Sequence, residues 1–112
     1  MNRSMKIKDL PCYERPYEKL EVLGPEFLSN AELLAIIIRT GSKDETSVAL
    51  AQRVLSKYNG NAGLANFYNT SLEELKSVKG IGRVKALQIK AVMELSKRIS
   101  ASDFSDNIVI IS

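Results

Sequence analysis

The stretch Leu72-Glu-Glu-Leu-Lys-Ser-Val-Lys-Gly80-Ile-Gly82-Arg-Val-Lys-Ala86-Leu-Gln-Ile-Lys-Ala-Val-Met-Glu-Leu-Ser-Lys-Arg98 decides the fold. Its spacing predicts two helices joined by a tight Gly80-Ile81-Gly82 turn. Thr70 is placed to cap the first helix, with Glu73 completing a capping box. Leu72, Leu75 and Val78 recur at helical spacing. Val84, Leu87, Ala91, Leu95 and Ile99 give the second helix an apolar stripe. Ile81 is expected to plug inward and anchor the turn, and small Ala86 lets the two helices approach closely.

The glycines have a physical reason. Gly82 precedes the second helix, whose first N–H groups lack intrahelical acceptors and can meet an anion. Glycine tolerates positive φ and leaves no Cβ in the way of a phosphate. Lys79, Arg83 and Lys85 surround the turn with positive charge, and Lys76 and Lys90 extend it. The nonapeptide Val78-Lys-Gly-Ile-Gly-Arg-Val-Lys-Ala86 resembles the helix-hairpin-helix motif, hydrophobic-x-Gly-hydrophobic-Gly-x-x-x-Ala. That resemblance implies sequence-nonspecific contact with DNA phosphates through Lys79, Gly80, Ile81, Gly82, Arg83 and Lys85. The competing interpretation is a helical hairpin used only for packing or protein contacts.

Composition sets the outer limits. The 112 residues, 45% of them hydrophobic, suit one modest core. No apolar run is long enough to span a bilayer, and residues 1–10 lack the apolar segment of a signal peptide, so a cytoplasmic location is expected. Cys12 is the single cysteine and histidine is absent, so neither a disulfide, a zinc site nor an activated thiol nucleophile is expected in this chain. The net charge is only +3, but its distribution matters. Residues 71–100 hold seven Lys or Arg against three Glu, which concentrates the excess on the hairpin segment, as a nucleic-acid-facing surface requires.

Outward from the hairpin, residues 1–12 read as an extended arm, residues 13–100 as a helical domain, and residues 101–112 as a linker leading into an incipient strand at 107–112. Residues 14–23 predict a short helix with Pro16 in its first turn, ended by Gly24-Pro25 and burying Leu20 and Leu23. Ser29 with Glu32 forms a second capping box, heading a central, nearly all-apolar helix through Ile38. A polar turn, Arg39 to Thr46, leads to a helix over 47–58 with Val48, Leu50, Ala51, Val54 and Leu55 on its apolar face. Residues 61–69 predict a helical turn with Leu64 and Phe67 facing the core. The fold expected is all-α, a compact bundle of about five short helices. The turn after Ile38 is either a degenerate first hairpin, pseudo-symmetric with the second, or an ordinary surface loop. In the first case Arg39, Thr40, Gly41, Ser42 and Lys43 supply a second set of DNA contacts.

Taken together, Ile7-Lys-Asp-Leu-Pro11, Glu14-Arg-Pro16, Glu18-Lys-Leu20, Gly24-Pro25, Leu28-Ser-Asn-Ala-Glu-Leu-Leu-Ala35, Arg39-Thr-Gly41 and the Gly80-Ile-Gly82 turn closely resemble the N-terminal region of the bacterial RadC family over residues 5–100. RadC-like proteins carry a DNA-repair name. The resemblance implies a C-terminal JAB/MPN-like domain with a zinc metallohydrolase-type motif, and none of that motif's ligands is present in this chain. Zinc is therefore expected only in that further domain, which would also be a partner, and no cofactor is expected here. The hairpin is also similar to that of helix-hairpin-helix DNA glycosylases. Where those with lyase activity have a catalytic lysine, this chain has Val84; Lys85 comes one residue late, rotated by about 100°. Base excision, and enzymatic activity generally, is not expected. Two functions remain: a module binding DNA backbone, or an interaction module using an apolar patch that includes Tyr13, Tyr17 and Phe27.

Overall fold

The computed structural model describes residues 15–58 and 63–102, and among these all regular structure is helical. The elements are α1 (Pro16–Leu23), α2 (Asn30–Ile38), α3 (Ser47–Ser56), α4 (Gly63–Tyr68), α5 (Leu72–Lys76) and α6 (Gly82–Ala101), with a 3-10 turn at Pro25–Phe27. The all-α expectation holds, with six helices rather than about five, and α6, at 20 residues, is long. The arm at 1–12, the strand at 107–112 and the first residues of the predicted 61–69 turn lie outside the described residues, whereas the helix predicted over 47–58 ends at Ser56.

Local chemistry explains where the helices start. Pro16 opens α1, and Gly24, at φ 98°, closes it by donating its N–H to the Leu20 carbonyl at 2.9 Å. The predicted capping box at α2 is present: Ser29 Oγ accepts from Glu32 N at 3.1 Å and Glu32 Oε1 accepts from Ser29 N at 2.8 Å. Glu32 also takes Lys19 Nζ at 3.1 Å, tying α1 to α2. Partial burial pushes the Glu32 carboxyl up, but the Ser29 N–H and the Lys19 ammonium outweigh it and hold the group below its ordinary value. Thr46 caps α3 through Ala49 N at 3.1 Å.

The cap of α5 differs from expectation. Ser71, not Thr70, is the N-cap, and Glu74, not Glu73, closes the box. Both registers satisfy the pattern. The one adopted leaves Thr70 buried, its hydroxyl donating to the Asn66 carbonyl at 3.2 Å and its own carbonyl accepting Lys90 Nζ at 2.8 Å.

The core gathers Leu34, Ala35 and Ile38 from α2, Leu50, Ala51 and Val54 from α3, Leu75 from α5, Val78 and Ile81 from the turn, and Ala86, Ile89 and Met93 from α6. Ala86 and Ile81 are buried as expected. The packing face of α6 is therefore Ala86, Ile89 and Met93. The predicted stripe Val84, Leu87, Ala91, Leu95 and Ile99 lies on the opposite, exposed side. Both faces of α6 are apolar, and the turn at Gly80–Gly82 sets which one meets the core. Leu23 and Leu64 are also exposed rather than buried, whereas Phe67 packs on Tyr58 with ring centroids 5.6 Å apart.

Leu50, with none of its surface exposed, gives the direct test of this core. Leu50→Ala is expected to cost about 2–5 kcal/mol in urea unfolding. Ser71→Ala is expected to cost about 1 kcal/mol, and Glu73→Gln close to nothing; equal effects of the last two would contradict the Ser71 cap.

Candidate nucleic-acid interface

The segment from Ser77 to Gly82 is built from the inside outward. Ser77 ends α5, its N–H shared between the carbonyls of Glu73 and Glu74. Val78 N donates to Leu75 O at 3.1 Å and Ile81 N to Val78 O at 3.0 Å, so the chain turns on two buried apolar residues. Gly80 and Gly82 take φ values of 95° and 61°, which L side chains adopt only with strain.

The two glycines do different work. A Cβ on Gly80 would sit 3.1 Å from Leu50 Cδ1, 3.3 Å from Arg53 Nη2 and 3.4 Å from Ser42 Cβ, so Gly80 is a packing position. A Cβ on Gly82 would meet nothing within 4 Å. Gly82 stands open to solvent at the start of α6, where the first-turn N–H groups have no helical acceptor. Lys79 and Arg83 beside it are exposed and Lys85 is half-exposed, whereas Ile81 is buried and serves as the anchor of the turn. Lys90 does not extend the cluster, because its ammonium is held by the Thr70 carbonyl.

The Arg39–Thr46 loop meets this turn. Ser42 is the residue in contact with the Gly80 position. Arg53, from α3, joins the two segments. Its Nε and Nη2 donate to the two Glu45 carboxylate oxygens at 2.9 Å each, and Nη2 also donates to the Lys79 carbonyl. Ser42 Oγ adds a hydrogen bond to Glu45 Oε1 at 3.2 Å. The Arg53 guanidinium holds the Glu45 carboxyl below its ordinary value, helped by Ser42 and by the charge of Lys79, and Glu45 in turn raises Arg53. The charge of Glu45 is thereby compensated within the loop, and the exposed charges around the turn are Lys43, Lys79 and Arg83 with Asp44.

The other residues of the first loop are placed variously. Lys43 and Thr40 are exposed. A Cβ on Gly41 would overlap the Glu45 carbonyl, so this glycine lets the loop fold back on its own backbone. Arg39 is exposed at φ 73°, with Thr40 N donating to the Ile38 carbonyl at 2.8 Å across it, and it lines a cleft with Arg15, Tyr17 and Ile36 rather than joining the Gly80 turn. Tyr17 and Phe27 of the alternative apolar patch are exposed; Tyr13 lies outside the described residues. Arg53 and Glu45 were not expected from sequence. Their eight-residue separation carries no helical signal, and the bond from Arg53 to Lys79 spans 26 positions.

An all-α unit with a glycine turn of this kind defines the class, and comparison with known proteins supplies the family. Residues 7–87 match the family model described as UPF0758 N-terminal, and the chain belongs to the UPF0758 family. It is 50% identical over 104 residues to a UPF0758 protein of Geobacillus thermodenitrificans, covering 93% of this chain and 45% of that protein. A UPF0758 protein of Clostridium acetobutylicum is 49% identical over 112 residues, covering all of this chain and 48% of its own length. One from Caldanaerobacter subterraneus is 44% identical over 109 residues, with coverages of 97% and 46%. The chain thus spans about half the length of the curated relatives it matches. No solved structure matches it. No helix among the described residues is long and apolar enough to cross a membrane.

Arg53→Ala is expected to lower the melting temperature more than Arg98→Ala, which removes only the exposed Arg98–Glu94 pair. Because Glu45 is depressed in the fold, its contribution is present above the ordinary carboxylate value and is lost as pH falls through the depressed one. Glu45→Gln should therefore lower stability at neutral pH and flatten its loss on acidification, measured by thermal melts from pH 7 to 3. Gly41→Ala is expected to cost about 3 kcal/mol through backbone overlap, and Gly82→Ala about 1 kcal/mol from positive φ alone.

Proposed function

We propose that α5, the Gly80–Gly82 turn and α6 form a helix-hairpin-helix, and that the chain is a sequence-nonspecific DNA-binding module of a RadC-like protein. The observation that carries it is the contrast between the glycines: Gly80 is used for packing, while Gly82 leaves the N-terminus of α6 open between exposed Lys79 and Arg83. A backbone phosphate fits there, accepting first-turn N–H groups and screened by the two cations. The Ser42–Lys43 loop, brought against Gly80, offers a second phosphate contact near the turn. A pseudo-symmetric pairing of hairpins is a natural origin for two such loops. In this account the chain is a binding unit without catalytic residues or cofactor, and any zinc-dependent chemistry of the longer relatives belongs to their other half.

The test is fluorescence anisotropy with a labelled duplex across a salt series. Binding is expected to weaken steeply with salt, the log–log slope giving about 0.9 per phosphate contacted. Lys79→Glu with Arg83→Glu, both exposed and away from the core, should reduce affinity at least about tenfold and the slope by about one to two. Binding by the wild-type chain that this folded variant retains would place any DNA contact elsewhere; no binding at low salt would reject the proposal.

A further inference from the structure

The cleft lined by Arg39 takes no part in the phosphate-binding surface at the turn. It lies between α1, the end of α2 and the start of α3, with a volume of about 330 Å³. Among the described residues its walls include Ile36 and the Tyr17 ring, and its polar side chains are Arg15, Glu18, Arg39 and Ser47. Several of these lack partners. The Arg15 Nε is buried without a hydrogen bond. Ser47 is only 6% exposed, and its hydroxyl makes no hydrogen bond among the described residues. The exposed Arg39 guanidinium pairs with no acidic group among them either. Buried polar groups are hydrogen-bonded in the great majority of cases, so unmet ones gathered at one cleft call for an occupant. The backbone adds to this. Arg39 stands in the rare positive-φ form of the γ-turn, at φ 73° and ψ −51°, with Thr40 N on the Ile38 carbonyl at 2.8 Å. Strain of this kind on a residue other than glycine collects where a side chain has to be held in place for a ligand.

We propose that the cleft receives one unpaired nucleotide of the DNA strand held at the Gly80–Gly82 turn, an inference that rests on the DNA-binding reading. The lining matches the parts of a nucleotide. Arg15 and Arg39 suit the phosphate. Tyr17, 51% exposed, offers its ring to the base opposite the aliphatic Ile36. Glu18 is an acceptor for a base N–H. A bare phosphate would leave the apolar wall unused and would be repelled by Glu18. The volume suits one small ligand. Arg39 also opens the loop that carries Ser42 and Lys43. Ser42 comes three positions later, so the two Cα atoms are at most about 11 Å apart. That is about three nucleotides of one strand. A strand lying on the loop therefore reaches the cleft, and DNA with an unpaired end is preferred over blunt duplex.

Fluorescence anisotropy of the whole chain at low salt compares three labelled probes: a blunt duplex, the same duplex with five-thymidine overhangs, and the single strand (dT)5. The overhanging duplex is expected to bind at least about fivefold tighter than the blunt one, the gain from one stacked base. Tyr17→Ala should remove that gain and leave blunt-duplex affinity unchanged. Arg39→Gly should remove it as well while keeping or raising the melting temperature, because glycine accepts φ 73° without strain. A wild-type ratio near one overturns the proposal, and so does a gain that either folded variant keeps. If neither duplex binds, the DNA-binding reading has failed and (dT)5 decides the cleft by itself. Binding of (dT)5 that both variants weaken at least about fivefold sustains the cleft; no binding, or binding that either variant retains, overturns it.

Discussion

The absence of a side chain at Gly80 is the constraint on which the rest of this structure depends. That position lies against Leu50, Arg53 and Ser42, at distances where a Cβ would have to displace its neighbours. Through it the turn between α5 and α6 sits down on α3 and on the loop before α3. Ile81 then enters the core, Gly82 turns outward, and α6 departs with Ala86 against the bundle. Arg53 holds this junction in polar terms, with a two-pronged contact to Glu45 and a bond to the Lys79 carbonyl. Packing and hydrogen bonding thus fix the same turn from two sides.

That arrangement gives the surface its character. Two loops far apart in sequence become neighbours, and Glu45 between them is tied to Arg53, while Asp44 beside Lys43 is exposed. The exposed cations and the open start of α6 are left pointing outward. Phosphate contacts of this type position a protein on nucleic acid without reading bases, which agrees with a surface whose groups are mainly backbone N–H, lysine and arginine. The second face of α6 is chemically distinct, apolar and separated from this surface by the curve of the helix. A single helix therefore carries the core contact and, at its N-terminus, the proposed phosphate contact, and leaves a second apolar face exposed.

Much of this was legible in the sequence, where the signals are local. The Ser29–Glu32 box, Pro16, Gly24 and the apolar run to Ile38 specified α1 and α2 through interactions within four residues. The Gly80-Ile81-Gly82 turn was legible for the same reason, and so was the all-α class. Legibility failed where two local patterns tied. Thr70–Glu73 and Ser71–Glu74 are equally good boxes, and the contacts that go with the adopted register, burial of Thr70 with its hydroxyl on the Asn66 carbonyl and its carbonyl on Lys90, are not local signals. Both sides of α6 are apolar, so periodicity could not say which one would be buried. The Arg53–Glu45 link could not be read at all, since it joins residues by a contact that exists only after α3 and the turn have packed. The distinct roles of Gly80 and Gly82 required the neighbours of each to be known.

The central claim, that the open start of α6 and the Ser42–Lys43 loop form one phosphate-binding surface, is tested most directly by a backbone amide titration. The labelled chain would be followed by heteronuclear NMR as a short duplex is added at low salt. The amides of Gly82, Arg83 and Val84 are expected to shift together with those of Ser42 and Lys43, and added salt to reverse all of them in parallel. Shifts confined to the exposed stripe of α6, or to one loop without the other, would contradict it.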